Sequence, residues 1–179
     1  MGTSAFLSDW SHLVDNRLIE NIKNHFESPS CMTLGELSFS YYAQEINTND
    51  GLFENGLYIF KFNDSFYVGK ATSCTIIERL AKHFDSRRVG GFNSLLKKLY
   101  PIDKLASNYP INQRRMSDGK ILILPIDEEL LAKRNNISVS TKLVNSLEMD
   151  LIIKLRSAFG LDEINASKKS NLSGNFLFE

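Results

Sequence analysis

The chain has 179 residues with 21 basic and 21 acidic side chains, so its formal net charge is zero, and this length suits one domain rather than two. No apolar run is long enough to span a membrane, the first residues do not follow the pattern of a secretion signal, and the two cysteines lack the spacing of a zinc site or a disulfide framework. We therefore expect a cytoplasmic protein with no membrane segment.

The zero net charge hides an uneven distribution along the chain. Residues 1–55 hold two basic and eight acidic side chains, whereas residues 56–125 hold twelve basic and five acidic side chains. A cluster of positive charge attracts nucleic acid, because contacts to phosphates supply most nonspecific affinity. Each basic pair alone is typical of an ordinary solvated surface, but their confinement to one segment favours DNA binding. The candidate DNA contacts are Arg87, Arg88, Lys97, Lys98, Arg114 and Arg115.

The first third of the chain is predicted to be helical. Apolar residues recur at helical spacing over residues 9–26, and a second helix is predicted over residues 33–46. The polar stretch 47–55 then predicts a linker. Residues 1–50 are therefore interpreted as a helical N-terminal extension, and residues 51–179 as the domain that carries the function.

Residues 57–70 predict a β-hairpin. Two apolar and aromatic runs flank an Asn-Asp pair, which is a typical turn sequence. With that pair as the two loop residues, Tyr58 faces Gly69 on the opposite strand. Phe60 then faces Tyr67, so both tyrosines project to the same side of the hairpin. The glycine is expected to leave an opening beside Tyr58 where a backbone or a phosphate could approach closely.

Two further helices and one strand are predicted after the hairpin. Residues 75–84 form a helix in which Arg79 and His83 lie one turn apart on one flank. Residues 120–126 predict a strand, and residues 140–159 predict a long helix that a glycine ends. Between and after them we expect a short basic helix at 92–100, a long loop at 101–119, a short helix at 127–133 and a polar tail from 165.

Glu148 lies within the apolar stripe of the last predicted helix. An ionised carboxylate in such a position is costly unless it is paired, protonated or bound to a cation. A divalent metal would satisfy it, because a carboxylate with waters and a substrate phosphate is typical of Mg²⁺ sites. The alternative is a buried ion pair with Arg79 or Arg156. Because the hairpin carries further candidate site residues, the metal interpretation is favoured over the ion pair.

Several short motifs follow one another in a defined order: Gly56-Leu57-Tyr58, Tyr67-Val68-Gly69, Lys70, Arg79, His83 and Glu148. This ordered set resembles the GIY-YIG endonuclease superfamily over residues 56–171. The resemblance implies an α/β fold in which a small mixed or antiparallel sheet of about three strands is flanked by helices. It also implies a metal-dependent endonuclease, a hydrolase that cuts phosphodiester bonds in DNA, with Mg²⁺ or Mn²⁺ as cofactor. The asparagine expected near the end of such a domain is Asn165 or Asn171.

Phosphodiester cleavage suggests roles for these residues. Lys70, which directly follows the second tripeptide, is a further catalytic candidate or else a surface lysine at the end of a strand. Glu148 would hold the metal ion, and Arg79 would contact the scissile phosphate. Tyr58 would act as the general base or orient the attacking water, which requires a lowered tyrosine pKa that Lys70, Arg79 and the metal are expected to provide. Tyr67 would hydrogen-bond a phosphate oxygen or the water, and the two tyrosines could exchange roles.

Three points stay open at the level of sequence. His83 would orient a phosphate or Tyr58, or it is a structural hydrogen-bonding residue. Restriction, mobile-element and toxin nucleases all fit, and so do a homodimer and an inhibitory or immunity partner. The alternative function is a noncatalytic nucleic-acid or protein-binding module derived from the same fold, which would have no need for a carboxylate in an apolar stripe.

Overall fold

The computed structural model describes residues 14–37, 52–84, 95, 114–126 and 141–164 of the chain. Within these residues, no helix is both long enough and apolar enough to cross a membrane. Their main elements are α1 (Asn16–Glu27), β1 (Gly56–Lys61), β2 (Ser65–Ala71), α2 (Ile76–Phe84), β3 (Lys120–Pro125), α3 (Thr141–Phe159) and β4 (Asp162–Glu163).

The strands form one sheet in the order β3-β1-β2-β4. β1 is antiparallel to both β2 and β3, whereas the two-residue β4 is parallel to β2. The Ile164 N–H donates to the Phe66 carbonyl at 2.9 Å beside that short pairing. The expected α/β fold, with a small sheet of three antiparallel strands flanked by helices, is therefore confirmed, and a short fourth strand makes the sheet mixed.

β1 and β2 form the predicted hairpin in the predicted register. Tyr58 pairs with Gly69, and Tyr67 lies two residues before that glycine on the same side of the sheet. The Phe62 N–H donates to the Ser65 carbonyl at 2.8 Å, which closes a two-residue loop. Both tyrosines therefore project to one face, as the sequence predicts.

Both faces of the sheet are covered, which explains why β1 is apolar along its length. α1 and α3 pack on one face, here called the α3 face. α2 packs on the other, here called the α2 face, together with the helical residues 34–37 and 114–118. Buried side chains of the α3 face include Leu18, Ile22, Phe26, Leu57, Ile59, Val68, Leu147, Leu151 and Leu155. Those of the α2 face include Leu37, Tyr58, Phe60, Tyr67, Ile76, Leu80, Met116 and Ile123.

α1 starts later than the apolar periodicity predicts. It begins at Asn16 because the Asp15 side chain accepts a hydrogen bond from the Leu18 N–H at 2.7 Å and caps the helix. The two residues before Asn16 are not helical, so the predicted start at residue 9 is wrong. The spacing of apolar residues does not show that a capping side chain, here Asp15, starts the helix at a later residue.

α1 belongs to the core of the α3 face. The Phe26 ring packs edge to face against Phe159 of α3, with 5.9 Å between the ring centroids. Lys120 Nζ on β3 donates to the Phe26 carbonyl at 2.6 Å, and Lys154 Nζ on α3 donates to the Val14 carbonyl at 2.5 Å. This helix of the predicted extension is therefore attached to the sheet, and the boundary near residue 50 stays a prediction.

Local capping begins α2 and ends α3 where the sequence predicts. The Thr75 N–H donates to Glu78 Oε2 at 2.8 Å, so a capping box starts α2. Gly160 adopts a φ of 62° and ends α3. The helices predicted over 75–84 and 140–159, like the strand β3, are thus confirmed to within one residue.

One predicted loop is partly helical. Residues 114–118 form a helical segment where the sequence predicts a loop over 101–119. Met116 in this segment is fully buried in the core of the α2 face, and that burial holds the segment against the sheet. Four predicted segments lie wholly or partly outside the described residues. They are the second predicted helix beyond residue 37, the helix 92–100 apart from Leu95, the helix 127–133 and the tail from 165.

Candidate functional site

Tyr58 and Tyr67 lie side by side on the α2 face of the hairpin. Their ring centroids are 6.2 Å apart, and their hydroxyl groups hydrogen-bond each other. Tyr58 is fully buried and Tyr67 nearly so. The pairing follows from the register, because residues opposite each other and residues two apart on a strand share a face.

Gly69 makes room for the Tyr58 ring. A Cβ atom at Gly69 would lie 2.2 Å from Tyr58 Cζ, which is closer than packed atoms allow. The opening predicted beside Tyr58 for a backbone or a phosphate is therefore wrong, because the phenol ring itself fills that space. The glycine is required so that the ring can lie flat against β2.

His83 is enclosed by aromatic rings on the α2 face. Its Nε2 lies 2.6 Å from the Tyr58 hydroxyl, and which atom donates depends on the ring nitrogen that holds the proton. The centroid of its ring is 5.7 Å from Tyr58, 5.6 Å from Tyr67 and 6.2 Å from Phe60, with steep angles between the ring planes. Only 1% of His83 is exposed, and it hydrogen-bonds Tyr58, which is one of the roles that the sequence leaves open for it.

Arg79 lies one turn before His83 on α2, as the sequence predicts. Its side chain is partly buried, and its guanidinium hydrogen-bonds the Tyr58 hydroxyl. The positive charge acts on both Tyr58 and Tyr67, since it opposes the rise in the pKa of each phenol. Tyr58 therefore contacts a histidine, an arginine and a second tyrosine.

Burial decides the protonation of both phenols. Desolvation raises the pKa of Tyr58 well above its usual value, Tyr67 adds to the rise, and the Arg79 charge lowers it only in part. Desolvation also raises the pKa of Tyr67, against the lowering effect of Arg79. The charges of Glu148 and Glu163 add to that rise. The expected lowering of the Tyr58 pKa is therefore wrong for the protein alone, and both side chains stay protonated at neutral pH.

Lys70 and Glu148 meet on the α3 face. Lys70 Nζ lies 2.6 Å from Glu148 Oε2 and 2.6 Å from Asn145 Oδ1. The position of Glu148 in the apolar stripe is confirmed, since only 4% of the residue is exposed. The sequence points to Arg79 or Arg156 as its ion-pair partner. Lys70 takes that place instead, and Arg156 is exposed.

The tyrosine group and the ion pair lie on opposite faces of the same stretch of β2, residues 67–70. β4 pairs with β2 only at Ser65 and Phe66, so within the described chain no strand covers the edge at residues 67–71. Glu148 is close enough to Tyr67 for its charge to raise the pKa of that phenol. The polar residues of the α2 face and the ion pair of the α3 face therefore flank the same part of β2.

Two residues at the site escape prediction from the sequence. Asn145 precedes Glu148 by three residues on α3, and such spacing places two side chains on one helix face. This spacing could have identified Asn145 from the sequence. Glu163 is a buried carboxylate on β4, with 5% of the residue exposed, and its charge reaches Tyr67. No pattern points to Glu163, because a two-residue strand has no periodicity and its place depends on the pairing with β2.

The candidate DNA contacts are only partly within the described chain. Arg114 is exposed, whereas Arg115 donates to both carboxylate oxygens of Asp64 at 2.6 and 2.8 Å. Four candidates lie outside the described residues: Arg87, Arg88, Lys97 and Lys98. The asparagines Asn165 and Asn171 also lie outside them.

A cleft of about 690 Å³ opens beside the hairpin loop. Basic residues outnumber acidic ones there, although Arg115 is paired with Asp64 and Lys120 donates to a carbonyl of α1. The cleft reaches β1 at Lys61, which is three residues from Tyr58, or about 10 Å along a strand. The charged residues that line the cleft are Lys61, Asp64, Arg114, Arg115, Asp118 and Lys120.

Two oxygen atoms on α3 are suited to a divalent cation. Asn145 Oδ1 and Glu148 Oε2 contact the same ammonium group, so they already converge on one positive charge. Mg²⁺ uses such oxygen atoms and fills its other positions with waters and phosphate. In the part of the chain that the structure describes, no group of three or more His, Cys, Asp or Glu side chains is arranged to hold a metal ion. Among the described residues, these two oxygens are the ones that a cation here would contact.

Comparison of the chain with protein-family models, with curated proteins and with solved structures finds no match in any of the three.

Proposed function

We propose that this protein is a metal-dependent endonuclease that hydrolyses phosphodiester bonds in DNA, and that its fold is GIY-YIG-like. The observation that carries the proposal is that polar residues from four elements lie around the same stretch of β2. They are Tyr58 of β1, Tyr67 of β2, Arg79 and His83 of α2, and Glu148 of α3. Burying such a set costs desolvation free energy without helping the core, and strongly perturbed titratable groups are typical of functional sites.

Arg79 is the residue for the phosphate in this proposal. A guanidinium is permanently charged, and its planar donors match the oxygen atoms of a phosphate. Partial burial beside Tyr58 strengthens its field, because less water screens the charge. Arg79 would therefore stabilise the negative charge that builds on the phosphate as the water attacks.

Tyr58 and His83 offer a route for the proton of the attacking water. The raised pKa of Tyr58 keeps the phenol protonated, so the phenol must give up its proton in order to take one. His83 Nε2, at 2.6 Å, can accept that proton when it carries none itself. As the water oxygen bonds to phosphorus, its proton would pass to Tyr58 while the phenol proton passes to His83. Tyr67, bonded to Tyr58, would orient the water or a phosphate oxygen.

Glu148 and Asn145 would hold the divalent cation. When bound, Mg²⁺ or Mn²⁺ supplies positive charge to a phosphate oxygen and to the leaving oxygen. Glu148 is fixed in place because α3 packs into the core of the α3 face. Its carboxylate therefore stays on the α3 face of β2, within reach of a small side-chain rotation.

The proposal predicts cation-dependent cutting that requires Glu148. We expect the parent protein to nick or cut duplex DNA in Mg²⁺ but not in EDTA. Glu148→Gln keeps the shape of the side chain and removes its charge, so we expect the cutting rate to fall about 100-fold. The matched control is Asp150→Asn, an exposed carboxylate on the same helix, which should cut like the parent. Equal cutting by Glu148→Gln and the parent would contradict the site.

A second candidate is a noncatalytic nucleic-acid or protein-binding module on the same fold. The Lys70 to Glu148 ion pair favours it, because a carboxylate that already has a counter-charge does not require a metal. Such a module would bind DNA equally well in Mg²⁺ and in EDTA and would leave it intact. The cutting assay therefore separates the two candidates, and the sequences of any product ends would distinguish a site-specific nuclease from a toxin.

A further inference from the structure

Lys70 bridges two oxygen atoms of α3. Its Nζ lies 2.6 Å from Asn145 Oδ1 and 2.6 Å from Glu148 Oε2. Asn145 and Glu148 are three residues apart on one helix, so their side chains share a face and their oxygens point to one place. The Glu148 side chain is 6% exposed and the Lys70 side chain is 29% exposed. The carboxylate is thus held within the packing, while the ammonium borders the solvent.

We infer that the Lys70 ammonium occupies the divalent-cation site of this protein, and that a cation must displace it in order to bind. The inference rests on the proposed function, which supplies the need for a cation. Oxygen atoms that contact an ammonium at 2.6 Å would have to move inward by about half an ångström to reach the Mg²⁺ distance of about 2.1 Å. Rotation of the two side chains covers a movement of that size.

Lys70 is the member of this group that is able to leave. Its charge sits on a flexible four-carbon stem at the edge of the sheet, so the ammonium can turn into water. Glu148 cannot leave, because α3 is packed against the sheet. The carboxylate keeps a counter-charge in both states, first the ammonium and then the cation. The displaced ammonium would remain beside the edge of β2, where it can pair with a phosphate of the substrate.

A purely structural ion pair predicts different behaviour. In that case removal of Lys70 leaves a buried carboxylate without its counter-charge, and adding a cation does not restore the lost stability. In the displacement case the same change removes a competitor, so the affinity for the cation rises. Binding of the cation to the folded state then raises the melting temperature.

The test is Mn²⁺ binding to the full chain without DNA, measured by electron paramagnetic resonance of the free ion. We expect Lys70→Met to bind Mn²⁺ about tenfold more tightly than the parent, and its melting temperature to rise more when Mn²⁺ is added. Lys23→Met is the matched control, because Lys23 also forms an ion pair, with Glu20 at 3.7 Å, and its side chain is 33% exposed. Its affinity for Mn²⁺ should equal that of the parent.

The oxygen ligands provide the second half of the test. We expect Asn145→Ala and Glu148→Gln to weaken Mn²⁺ binding by about tenfold or more. Ser146→Ala, the exposed neighbour on the same helix, should bind like the parent. Asn145 is exposed, so its variant decides the outcome even where Lys70→Met does not fold.

Two results would overturn the inference. One is equal Mn²⁺ affinity in Lys70→Met and the parent, and the other is unchanged affinity in Asn145→Ala or Glu148→Gln. Tighter binding in Lys70→Met combined with no DNA cutting by the parent would support the cation site and reject the nuclease. Mn²⁺ binding therefore tests the cation site and DNA cutting tests the nuclease, so each proposal can be rejected without the other.

Discussion

The two faces of the sheet treat polar groups in opposite ways. On the α2 face, Tyr58 and Tyr67 are buried, and desolvation raises the pKa of both despite the nearby Arg79. On the α3 face, Lys70 and Glu148 form an ion pair at the border of the packing. The difference teaches that burial does not act alone: Glu148 is as buried as Tyr67 but has the Lys70 ammonium 2.6 Å away, whereas Arg79 offsets the desolvation of the phenols only in part.

Each face also supplies what the other lacks. In the proposed reaction, the hydrogen-bonded groups of the α2 face would take the proton of the attacking water, and Glu148 on the α3 face would hold the cation. Reaction at the edge of β2 would need both. Changes confined to the α2 face should therefore alter its chemistry and stability while the ion pair of the α3 face stays in place.

The largest effect is expected for Arg79, the positive charge beside the phenols. Arg79→Lys keeps the charge but loses the planar donors, so we expect the rate of DNA cutting to fall about 100-fold or more. DNA affinity in EDTA should change little, because the substitution leaves the total charge of the surface unaltered. Single-turnover cutting and binding assays measure the two quantities separately.

The control for this change is Arg156→Lys on the α3 face. Arg156 is exposed and lies on a helix that also carries Glu148, so its variant should cut at the rate of the parent. If Arg79→Lys also cut at that rate, the phosphate contact would have to lie elsewhere.

The next effect is expected from Gly69, on which the packing of the α2 face depends. Gly69→Ala places a Cβ atom 2.2 Å from Tyr58 Cζ, so the ring or the strand must shift. We expect the free energy of unfolding to fall by about 2 kcal/mol, as for other overpacked cores. Denaturant unfolding measures this quantity.

A double variant shows whether the clash with the ring is the cause. Tyr58→Leu removes the atoms that the new methyl group meets, so Gly69→Ala should cost less in that background than in the parent. Equal costs in the two backgrounds would mean that Gly69 serves the backbone of β2 rather than the phenol ring.

The smallest effect is expected in the pH dependence of stability. The folded state keeps the Tyr58 proton at a pH where the unfolded chain, with a pKa of about 10, loses it. The free energy of unfolding should therefore fall as pH rises above about 10, by at most about 1.4 kcal/mol per pH unit for this group. Below that pH the contribution is fully present.

Tyr58→Phe removes this titration. Between pH of about 9 and 11, the stability of the parent should decline more steeply than that of Tyr58→Phe, as measured by urea unfolding at each pH. Parallel declines would show that the phenol proton is not held by burial in the way the α2 face implies.

Local signals explain the parts of the fold that could be predicted. The hairpin register follows from a two-residue turn and from the alternation of side chains along a strand, so Tyr58 and Gly69 could be paired from the sequence. The end of α3 follows from Gly160, which tolerates a positive φ. The burial of Glu148 follows from helical periodicity.

Nonlocal contacts explain the parts that could not be predicted. Lys70 reaches Glu148 only because β2 and α3, which are far apart in the chain, pack against each other. Gly69 could be identified as an open position, but the direction of the Tyr58 ring decides what fills it. Glu163 joins the site only because β4 pairs with β2.

By itself, the sequence determined the hairpin, its register, the helix that carries Glu148 and the set of residue types available for chemistry, because turns, caps and periodicity act over a few neighbouring residues. Only the tertiary structure decided which groups are charged and which partners they have. Desolvation depends on everything that packs around an atom, so it raises the pKa of Tyr58 where the sequence predicted a lower one. The packing of α3 against β2 likewise gives Glu148 Lys70 as a partner, where the sequence pointed to Arg79 or Arg156.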